Sequence, residues 1–365
     1  MGVSSPSGDV AGSEEAAAVV GALLPSDAEV ERPPCSSPDH APDLLALLRG
    51  KGGARVLLLG HLDTVISHSE HRPLERAGDR LVGSGAVDMK GGVVLALGVL
   101  RALATVRDAF AEAALLLVTD EEWRTRDFAH ADRFAGFDAC LCFEAGERGP
   151  DRHGSASSEG VVVRRKAAGT LRVRATGVSA HSGSAPDRGR NALLALAAAA
   201  SAVAHAHDPD GPERLTAVPT ILRSGEAFNV VPASGELYCD LRAERVAAFE
   251  PVLAAIPSEV GGAALEAELV RRWPGMDSRE ATAGLLVRAS ELLGRPVVGV
   301  ERGGASDASH VATRLPLTVD GLGPRGGGAH TPDEFVLRET LRTRAEVALA
   351  VTAAVLERSS RAAAA

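Results

Sequence analysis

Continuous hydrophobic runs that end in polar residues recur along the first part of the chain. Residues 55–60, 113–123 and 137–147 each contain a run of apolar side chains, which is typical of a strand buried on both faces. Residues 14–24 and 93–103 instead place apolar side chains at helical spacing. Because strands that alternate with helices form mainly parallel sheets with helices on both faces, we predict a three-layer α/β core.

The middle of the chain, residues 164–272, has a different pattern. Several segments alternate apolar and polar side chains, as half-exposed strands do. The order of elements is β-α-β-β-α-β, which is typical of a small ferredoxin-like antiparallel sheet with two helices. We predict that this domain is inserted into the α/β core, which then comprises residues 1–163 and 273–365. The strands are predicted at residues 170–177, 214–222, 234–242 and 264–272, and the helices at residues 191–206 and 244–256.

The α/β pattern resumes after the inserted domain. A helix is predicted at residues 283–293, a strand at 317–320 and a final helix at 337–356. Glycine-rich loops, residues 303–310 and 321–336, lie between these elements. The chain is therefore predicted to be one α/β domain interrupted once by a smaller one.

Composition and charge exclude several classes of protein. The chain of 365 residues has a formal net charge of −9 and no basic cluster of the kind that binds nucleic acid or a membrane surface. Its apolar runs are too short to span a bilayer, including the alanine-rich stretch 192–204. Four scattered cysteines do not indicate a disulfide framework. The first residues lack the regions of a signal peptide, so we expect a soluble cytoplasmic protein.

The ends of the predicted strands carry the candidate chemistry. His61 follows the strand 55–60, and Asp63 lies two residues further on, on the same face of an extended backbone. A carboxylate beside a histidine suits a metal ligand whose second ring nitrogen is held in place. Asp88 follows a glycine-rich turn directly before a helical stretch, where it could also cap the helix. Taken alone, each feature is more often a polar loop or a cap than a metal site.

Further acidic and histidine residues follow the other apolar runs. Two histidines and three carboxylates, with no thiolate, suit a pair of divalent ions, most simply Zn2+, with Co2+ or Mn2+ as substitutes. Two ions that share a carboxylate would polarise a carbonyl and activate a water. Of the adjacent residues Glu121 and Glu122, one would face the metals and the other would serve as general acid and base. The candidate ligands are His61, Asp88, Glu122, Glu144 and His330.

Eight motifs, in order along the chain, resemble those of one enzyme family. The chain is similar to the di-zinc amidohydrolases and exopeptidases that include glutamate carboxypeptidase, acetylornithine deacetylase, succinyl-diaminopimelate desuccinylase and aminoacylase. Among these enzymes, its sequence pattern is most similar to that of glutamate carboxypeptidase. The motifs are GHLDTV, GSGAVDMKGG, TDEEW, FEAGE, VSAHSGSAPDRGRNAL, FNVVPASGELYCDLR, GGASDASH and GAHTPDEF.

The resemblance implies a role for each candidate ligand. His61, Asp88 and Glu144 would hold one zinc ion, and Asp88, Glu122 and His330 would hold the other. Asp88 would therefore bridge the two ions. The resemblance also implies a cis peptide bond directly after Asp88.

The resemblance further implies the catalytic residues. Glu121 would be the general acid and base, and Asp63 would orient the ring of His61. We predict zinc-dependent hydrolysis of an amide bond in an N-acyl amino acid or a small peptide with a free carboxylate, as in a glutamate carboxypeptidase. The alternative is a deacylase, of deacetylase, desuccinylase or aminoacylase type, that acts on a biosynthetic intermediate. A non-catalytic binding protein would have lost a ligand or the base, and none is missing.

In the family that the chain resembles, the inserted domain is a lid and forms the dimer. We therefore expect a homodimer through residues 164–272. His181 resembles a histidine that stabilises the oxyanion and that, in dimeric members, reaches the partner subunit's site. Asn229 and Arg242 resemble residues that bind the substrate carboxylate, and Gly304 lies in a loop that would offer backbone groups to the substrate.

Other residues have plainer interpretations. His181 could be a surface histidine, and Arg242 could pair with Asp240 or Glu244. Trp123 and Arg124 stand where the family often has Gly-Ser, which would alter the wall of the pocket. The remaining expectations are Asp307 and His310 as loop or capping residues, Glu334 as support for the His330 loop, and His68, His71, His130, His153, His205 and His207 in solvent.

Overall fold

The computed structural model describes residues 2–150 and 157–364, with side chains up to residue 360. The first compact unit comprises Met1–Arg164, Met276–Arg302 and Ser306–Ala365, and the second comprises Arg165–Gly275 and Gly303–Ala305. The predicted inserted domain, residues 164–272, did not include the short segment around Gly304. That segment belongs to the second unit, where Arg165 Nη1 donates to the Gly304 carbonyl at 2.8 Å.

The helices and strands of the described residues are as follows. The helices are α1 (Val10–Gly21), α2 (Gly91–Leu103), α3 (Ala192–His205), α4 (Glu250–Ala254), α5 (Arg279–Leu293), α6 (Asp307–Ala312) and α7 (Arg338–Ala364). The strands are β1 (Glu29–Glu31), β2 (Leu44–Arg49), β3 (Ala54–His61), β4 (Glu75–Ala77), β5 (Arg80–Val82), β6 (Phe110–Val118), β7 (Ala139–Cys142), β8 (Glu147–Gly149), β9 (Ser158–Arg165), β10 (Ala167–Thr176), β11 (Thr216–Ser224), β12 (Ser234–Ala243), β13 (Glu259–Val260), β14 (Ala263–Trp273), β15 (Met276–Asp277), β16 (Val297–Arg302), β17 (Thr318–Val319), β18 (Gly326–Gly327) and β19 (Phe335–Leu337).

A six-stranded sheet forms the centre of the first unit, in the order β1-β2-β6-β3-β7-β17. The strands β6, β3, β7 and β17 run parallel to one another. At the other edge, β2 is antiparallel to both β1 and β6. The predicted α/β class with a mainly parallel sheet is therefore confirmed.

Alternate side chains of the buried strands face opposite layers, because successive residues of a strand point to opposite faces. Leu58 of β3 and Leu115 of β6 belong to a core shared with α1, α2, α5 and α7. Leu57 and Leu116 belong to a second core, which includes α6 and Phe134. The sheet is thus covered on both faces, which explains why its strands are continuous apolar runs.

The carboxyl ends of neighbouring parallel strands meet at one edge of this sheet. His61, the last residue of β3, is in register with Val118, the last residue of β6. Leu59 of β3 is in register with Cys142, the last residue of β7. The polar residues that follow each strand therefore come together at this edge, where open α/β sheets build their sites.

The second unit has a five-stranded antiparallel sheet in the order β11-β12-β10-β14-β13. Its chain order, with α3 after β10 and α4 after β12, follows the predicted β-α-β-β-α-β pattern, to which the short β13 is added. Leu196 of α3 and Val252 of α4 pack on the sheet with Leu171 and Leu237. The helix predicted at residues 244–256 is shorter than expected, since a 3₁₀ turn at Val246–Phe249 precedes α4.

Two small sheets were not predicted. One has the order β15-β9-β16, with β8 beside β9, and the other has the order β18-β19-β5-β4. Most of these strands are two or three residues long, and a run that short shows no period in the sequence. The second small sheet matters for the site, because the loop between β18 and β19 carries His330.

Among the described residues, no helix is long and apolar enough to cross a membrane. Cys35, Cys140, Cys142 and Cys239 are all free. His153 lies outside the described residues. His130 is not in solvent as expected, because it is buried and its Nε2 lies 2.7 Å from Asp43 Oδ2.

Arg344 of α7 is fully buried and connects this helix to β9 and to the segment after β17. Its side chain has an exposed fraction of 0% and lies 3.1 Å from Glu159 Oε2 through Nη1. Its Nε donates to the Gly323 carbonyl at 3.1 Å, and its Nη2 donates to the Gly321 carbonyl. Gly323 N–H in turn donates to the carbonyl of Glu144 at 2.8 Å. The guanidinium therefore supports the backbone behind a candidate metal ligand.

We expect Arg344→Met to lower the free energy of unfolding by about 3 kcal/mol, because two buried carbonyls and part of Glu159 lose their charged donor. Urea unfolding followed by circular dichroism measures this change. Arg342→Met is the matched control on the same helix, since the Arg342 side chain is 89% exposed and should matter little. Equal unfolding midpoints for the two variants would contradict the role of Arg344.

Candidate active site

The sheet edge brings the predicted ligands together in two overlapping groups. His61, Asp88 and Glu144 form one group, and Asp88, Glu122 and His330 form the other. Within each group, one donor atom of every residue lies within 4.8 Å of the others. All five predicted ligands therefore belong to the same cluster, although they come from segments far apart in the chain.

Asp88 lies between the two histidines. Its Oδ1 is 3.0 Å from His61 Nε2, and its Oδ2 is 3.1 Å from His330 Nε2. Glu144 Oε1 is 3.7 Å from His61 Nε2, and Glu122 Oε2 is 3.4 Å from His330 Nε2. Each carboxylate oxygen of Asp88 thus faces one histidine, and a further carboxylate lies beside each histidine, which suits a ligand shared by two ions.

The donor set fits a pair of divalent ions. It offers imidazole nitrogens and carboxylate oxygens, which zinc and similar ions accept. Glu122 Oε1 is buried and has no hydrogen-bond partner in the part of the chain that the structure describes. Because an unpaired buried carboxylate oxygen is costly, a cation at this position would satisfy it. His61, Glu121 and Glu122 form a further possible group, so Glu121 borders the same space.

The turn that presents Asp88 has a specific local structure. The peptide bond between Asp88 and Met89 is cis, as the resemblance led us to expect. The following helix α2 begins very close to the strand that leads to Glu144. A Cβ atom at Gly92 would lie 1.8 Å from the carbonyl oxygen of Phe143, so only glycine allows this approach. The close packing of α2 brings Asp88 beside Glu144.

Asp63 holds two parts of the site at once. Its Oδ1 lies 3.3 Å from His61 Nδ1, and its backbone carbonyl lies 3.0 Å from the same nitrogen. Its carboxylate also accepts the backbone N–H groups of Glu121 at 3.2 Å and Glu122 at 3.1 Å. Asp63 is completely buried. It therefore turns Nε2 of His61 toward Asp88 and anchors the loop that carries both glutamates.

The side chain of Glu334 supports the turn that presents Asp88. Its carboxylate accepts the backbone N–H groups of Gly85 at 2.8 Å, Val87 at 2.7 Å and Asp88 at 2.7 Å. We expected Glu334 to support the loop of His330, in which it lies. Its backbone N–H donates to the Thr331 carbonyl at 3.2 Å within that loop, and its side chain in addition reaches a turn about 246 residues earlier. Spacing along the chain cannot reveal such a contact.

The electrostatics follow from crowding acids and histidines in a buried place. Burial, together with the charges of Asp307, Glu144 and Glu122, holds the pKa of Glu121 well above its usual value, against the opposing charge of His61. Hydrogen bonds to Asp88 and Glu122 raise the pKa of His330 to about 10. A carboxyl group with a raised pKa is suited to accept and return a proton near neutral pH.

Four predicted residues lie in the second unit. His181 is exposed, and its Nδ1 accepts the backbone N–H groups of Gly183 and Ser184, both at 3.1 Å. In the neutral ring the proton must then be on Nε2, which makes Nε2 a donor. Ser182 N–H donates to the carbonyl of Asn229 at 3.0 Å, so the loops of His181 and Asn229 are joined.

Arg242 is ion-paired in this structure. Its Nε and Nη2 donate to the carboxylate of Asp240 at 3.0 to 3.2 Å, which is the pairing that we gave as the alternative. Gly304 contributes its carbonyl to Arg165. A substrate contact for either residue stays a prediction.

The fold and the cluster define a metallohydrolase-type site: histidines and carboxylates converge at the carboxyl edge of an α/β sheet, with an additional glutamate beside them. Residues 57–354 match the model of Peptidase family M20/M25/M40. The chain belongs to this family, and the resemblance stated from the motifs is confirmed.

Curated relatives come from more than one branch of that family. The chain is 27% identical over 305 residues to carboxypeptidase G2 from a Pseudomonas species (strain RS-16), which covers 79% of this chain and 71% of that protein. It is also 27% identical over 333 residues to succinyl-diaminopimelate desuccinylase from Nitrosospira multiformis, with 84% of each protein covered. A peptidase and a deacylase are thus both among its relatives, at the same identity.

A solved structure supports the fold. The crystal structure of the aminopeptidase PepT from Bacillus cereus superimposes with a TM-score of 0.71 at 20% identity, and covers 97% of this chain and 95% of that one. At this identity the similarity concerns the architecture alone.

We expect Glu334→Gln to weaken metal binding by about 10- to 100-fold, because an amide group presents a donor to one of the backbone N–H groups that now meet a carboxylate. Competition with a chromogenic chelator measures the affinity. Asp333→Asn is the neighbouring control, since the Asp333 side chain is 83% exposed and pairs with Arg72 at the surface. An unchanged affinity in Glu334→Gln would show that the Asp88 turn keeps its shape without this carboxylate.

Proposed function

We propose that the chain is a di-zinc hydrolase that cleaves the amide bond of an N-acyl amino acid or of a small peptide with a free carboxylate, in the manner of a glutamate carboxypeptidase. The observation that carries the proposal is the position of Asp88, with one oxygen facing His61 and the other facing His330. Glu144 and Glu122 complete the two groups. Membership of the peptidase family and the similarity to carboxypeptidase G2 support it.

The residues of the chain have the following parts in this reaction. Bound divalent ions supply Lewis acidity, which polarises the scissile carbonyl and makes a water more acidic. Glu121 takes the proton of the attacking water and passes it to the nitrogen of the leaving amine. The raised pKa of Glu121 favours this role, since the residue must hold the proton between the two transfers. Asp63 keeps Glu121 and His61 in position through the contacts described above.

The second unit would supply recognition and oxyanion stabilisation. His181 would donate Nε2–H to the developing oxyanion, since its Nδ1 is already engaged by two backbone N–H groups. Arg242 and Asn229 would bind the substrate carboxylate, and the loop of Gly304 would offer backbone groups. Nη1 of Arg242 does not take part in the pair with Asp240. An incoming carboxylate could therefore bind Nη1 or displace Asp240.

We also propose a homodimer formed through the second unit. The strand β11 lies at the edge of its sheet, where backbone groups are available for pairing. Three apolar side chains of this edge strand are exposed, namely Val218 at 43%, Ile221 at 41% and Leu222 at 40%. An edge strand with exposed apolar side chains is better covered by a second copy than by water. The cytoplasmic location stays a prediction.

A deacylase acting on a biosynthetic intermediate is the second candidate. The similarity to succinyl-diaminopimelate desuccinylase, which covers 84% of both proteins, favours it. The same metals, base and oxyanion donor would serve, and only the walls that contact the acyl group would differ. Substrate assays therefore decide between the two candidates.

The proposal is tested by metal analysis and a substrate panel. Protein purified without chelator should contain about two zinc ions per chain, or regain activity when zinc, cobalt or manganese is restored. The panel compares α- and γ-linked glutamyl amides with N-acetyl and N-succinyl amino acids. Hydrolysis of the glutamyl amides supports the carboxypeptidase, and hydrolysis of the acyl amino acids supports the deacylase. Protein that binds no metal after zinc is restored would overturn both.

We expect Glu121→Gln to retain its metal while kcat falls by about 10²- to 10⁴-fold, because the amide cannot transfer a proton. Metal content by mass spectrometry and kcat on the best substrate of the panel are measured on the same preparation. Glu339→Gln, at an exposed position of α7, is the control and should behave as the wild type. Full activity of Glu121→Gln would exclude this residue as the base.

A further inference from the structure

The loop after β6 carries both Glu121 and Glu122, and a buried arginine side chain holds it just beyond them. Arg124 lies two residues beyond Glu122, and its side chain has an exposed fraction of only 1%. Asp63 already holds the start of this loop through the backbone N–H groups of the two glutamates. The position of the glutamate side chains therefore also depends on what holds Arg124.

The guanidinium of Arg124 lies between two buried carboxylates. Its Nη2 donates to Asp307 Oδ2 at 2.9 Å, and its Nη1 donates to Asp307 Oδ1, so this pair is bidentate. Its Nε and Nη2 also donate to Asp120 Oδ1, at 3.2 Å and 2.9 Å. The other oxygen of Asp120 accepts the N–H and the hydroxyl of Ser37, at 2.9 Å and 2.7 Å.

A second contact joins the same two segments. The guanidinium of Arg124 lies 4.9 Å from the ring centre of Phe128, and Phe128 stacks on His310 with ring centres 5.4 Å apart. His310 and Asp307 both belong to α6. The loop after β6 is thus fastened to α6 by an ion pair and by an aromatic stack. Both contacts join segments that are more than 180 residues apart in the chain.

A contribution to the stability of the fold does not by itself explain this buried ion pair. Removing charges from water costs several kcal/mol each, and a buried ion pair is often no more stable than an apolar replacement. What a bidentate pair provides is a fixed distance and orientation, because the planar guanidinium matches the carboxylate in one geometry. The pair therefore fixes the loop directly beside Glu121, the proposed base, and Glu122, a proposed metal ligand.

We propose that Arg124 is a positioning residue, and that its pair with Asp307 fixes the loop so that Glu121 and Glu122 are aimed into the metal cluster. The proposal rests on the proposed function, since it assigns Glu121 as the base and Glu122 as a ligand. Asp63 holds the loop at Glu121 and Glu122, and Arg124 holds it two residues further on. Asp307 is therefore not a loop or capping residue, as the sequence suggested, but the buried anchor of this pair.

The test compares Arg124→Met, Arg124→Lys, Asp307→Asn and the double variant Arg124→Met with Asp307→Asn. Arg126→Met, at an exposed position two residues further on, is the matched control. Steady-state kcat and KM are measured well below each unfolding midpoint. Zinc affinity is measured by chelator competition, and the visible spectrum of the cobalt-substituted protein reports the ligand geometry without any substrate.

We expect Arg124→Met to lower kcat by about 100-fold with little change in KM, because a displacement of about 1 Å at a catalytic group has that effect. We also expect metal affinity to fall by about 10- to 100-fold and the cobalt spectrum to change, since Glu122 moves. Arg124→Lys should recover part of kcat. The double variant should be no slower than Arg124→Met, because the two residues act as one unit.

A lower unfolding midpoint with unchanged kcat, zinc affinity and cobalt spectrum would overturn the proposal, because the pair would then serve stability alone. Multiplied effects in the double variant would overturn the coupling of Arg124 with Asp307. If Arg124→Met does not fold, Arg124→Lys and Asp307→Asn give the same comparison. A wild type that binds metal but hydrolyses none of the substrates would contradict the proposed function, while the cobalt spectrum and zinc affinity still test the positioning.

Discussion

The structure depends on holding one carboxylate, that of Asp88, between two histidines. His61 and His330 approach its two oxygens at 3.0 and 3.1 Å, while Glu122 and Glu144 bring two further negative charges into the same buried space. Carboxylates at such distances repel each other unless cations or protons lie between them. A protein can maintain this arrangement only if its backbone forces the groups together and a positive charge compensates them.

The backbone achieves this through contacts that tie each ligand to a distant segment. Glu334 holds the turn of Asp88 by three backbone N–H groups. Asp63 holds His61 and the loop of the two glutamates. Arg344 holds the carbonyls of Gly321 and Gly323 behind Glu144. In each case a charged side chain is bound to backbone groups, so the ligands are positioned by rigid elements rather than by their own side-chain preferences.

Arg124 adds an anchor of another type, because its guanidinium binds the carboxylates of Asp120 and Asp307 at a position where the family that the chain resembles often has Gly-Ser. A Gly-Ser pair makes few side-chain contacts, whereas Trp123 and Arg124 place a large exposed ring and a buried guanidinium at the same position. Of these two side chains, the buried one, Arg124, pairs with Asp307. The exposed side chain is that of Trp123, with an exposed fraction of 55%.

The sequence by itself determined the fold class and the set of candidate metal ligands. Short continuous apolar runs are typical of strands covered on both faces, and parallel strands end at the same edge, so the residues after β3, β6 and β7 were expected to meet there. The motifs then matched a family whose model covers residues 57–354. These inferences needed only local patterns and their order along the chain.

Tertiary structure decided which charged residues support those ligands. Glu334 reaches a turn about 246 residues away, and Arg124 pairs with a carboxylate about 183 residues away. Neither of these partners follows from periodicity, because a charged side chain has the same local pattern whether it faces water, a neighbour or a distant segment. The pairing is decided only during folding. When water is removed from a charged side chain, the nearest group of opposite charge must compensate it.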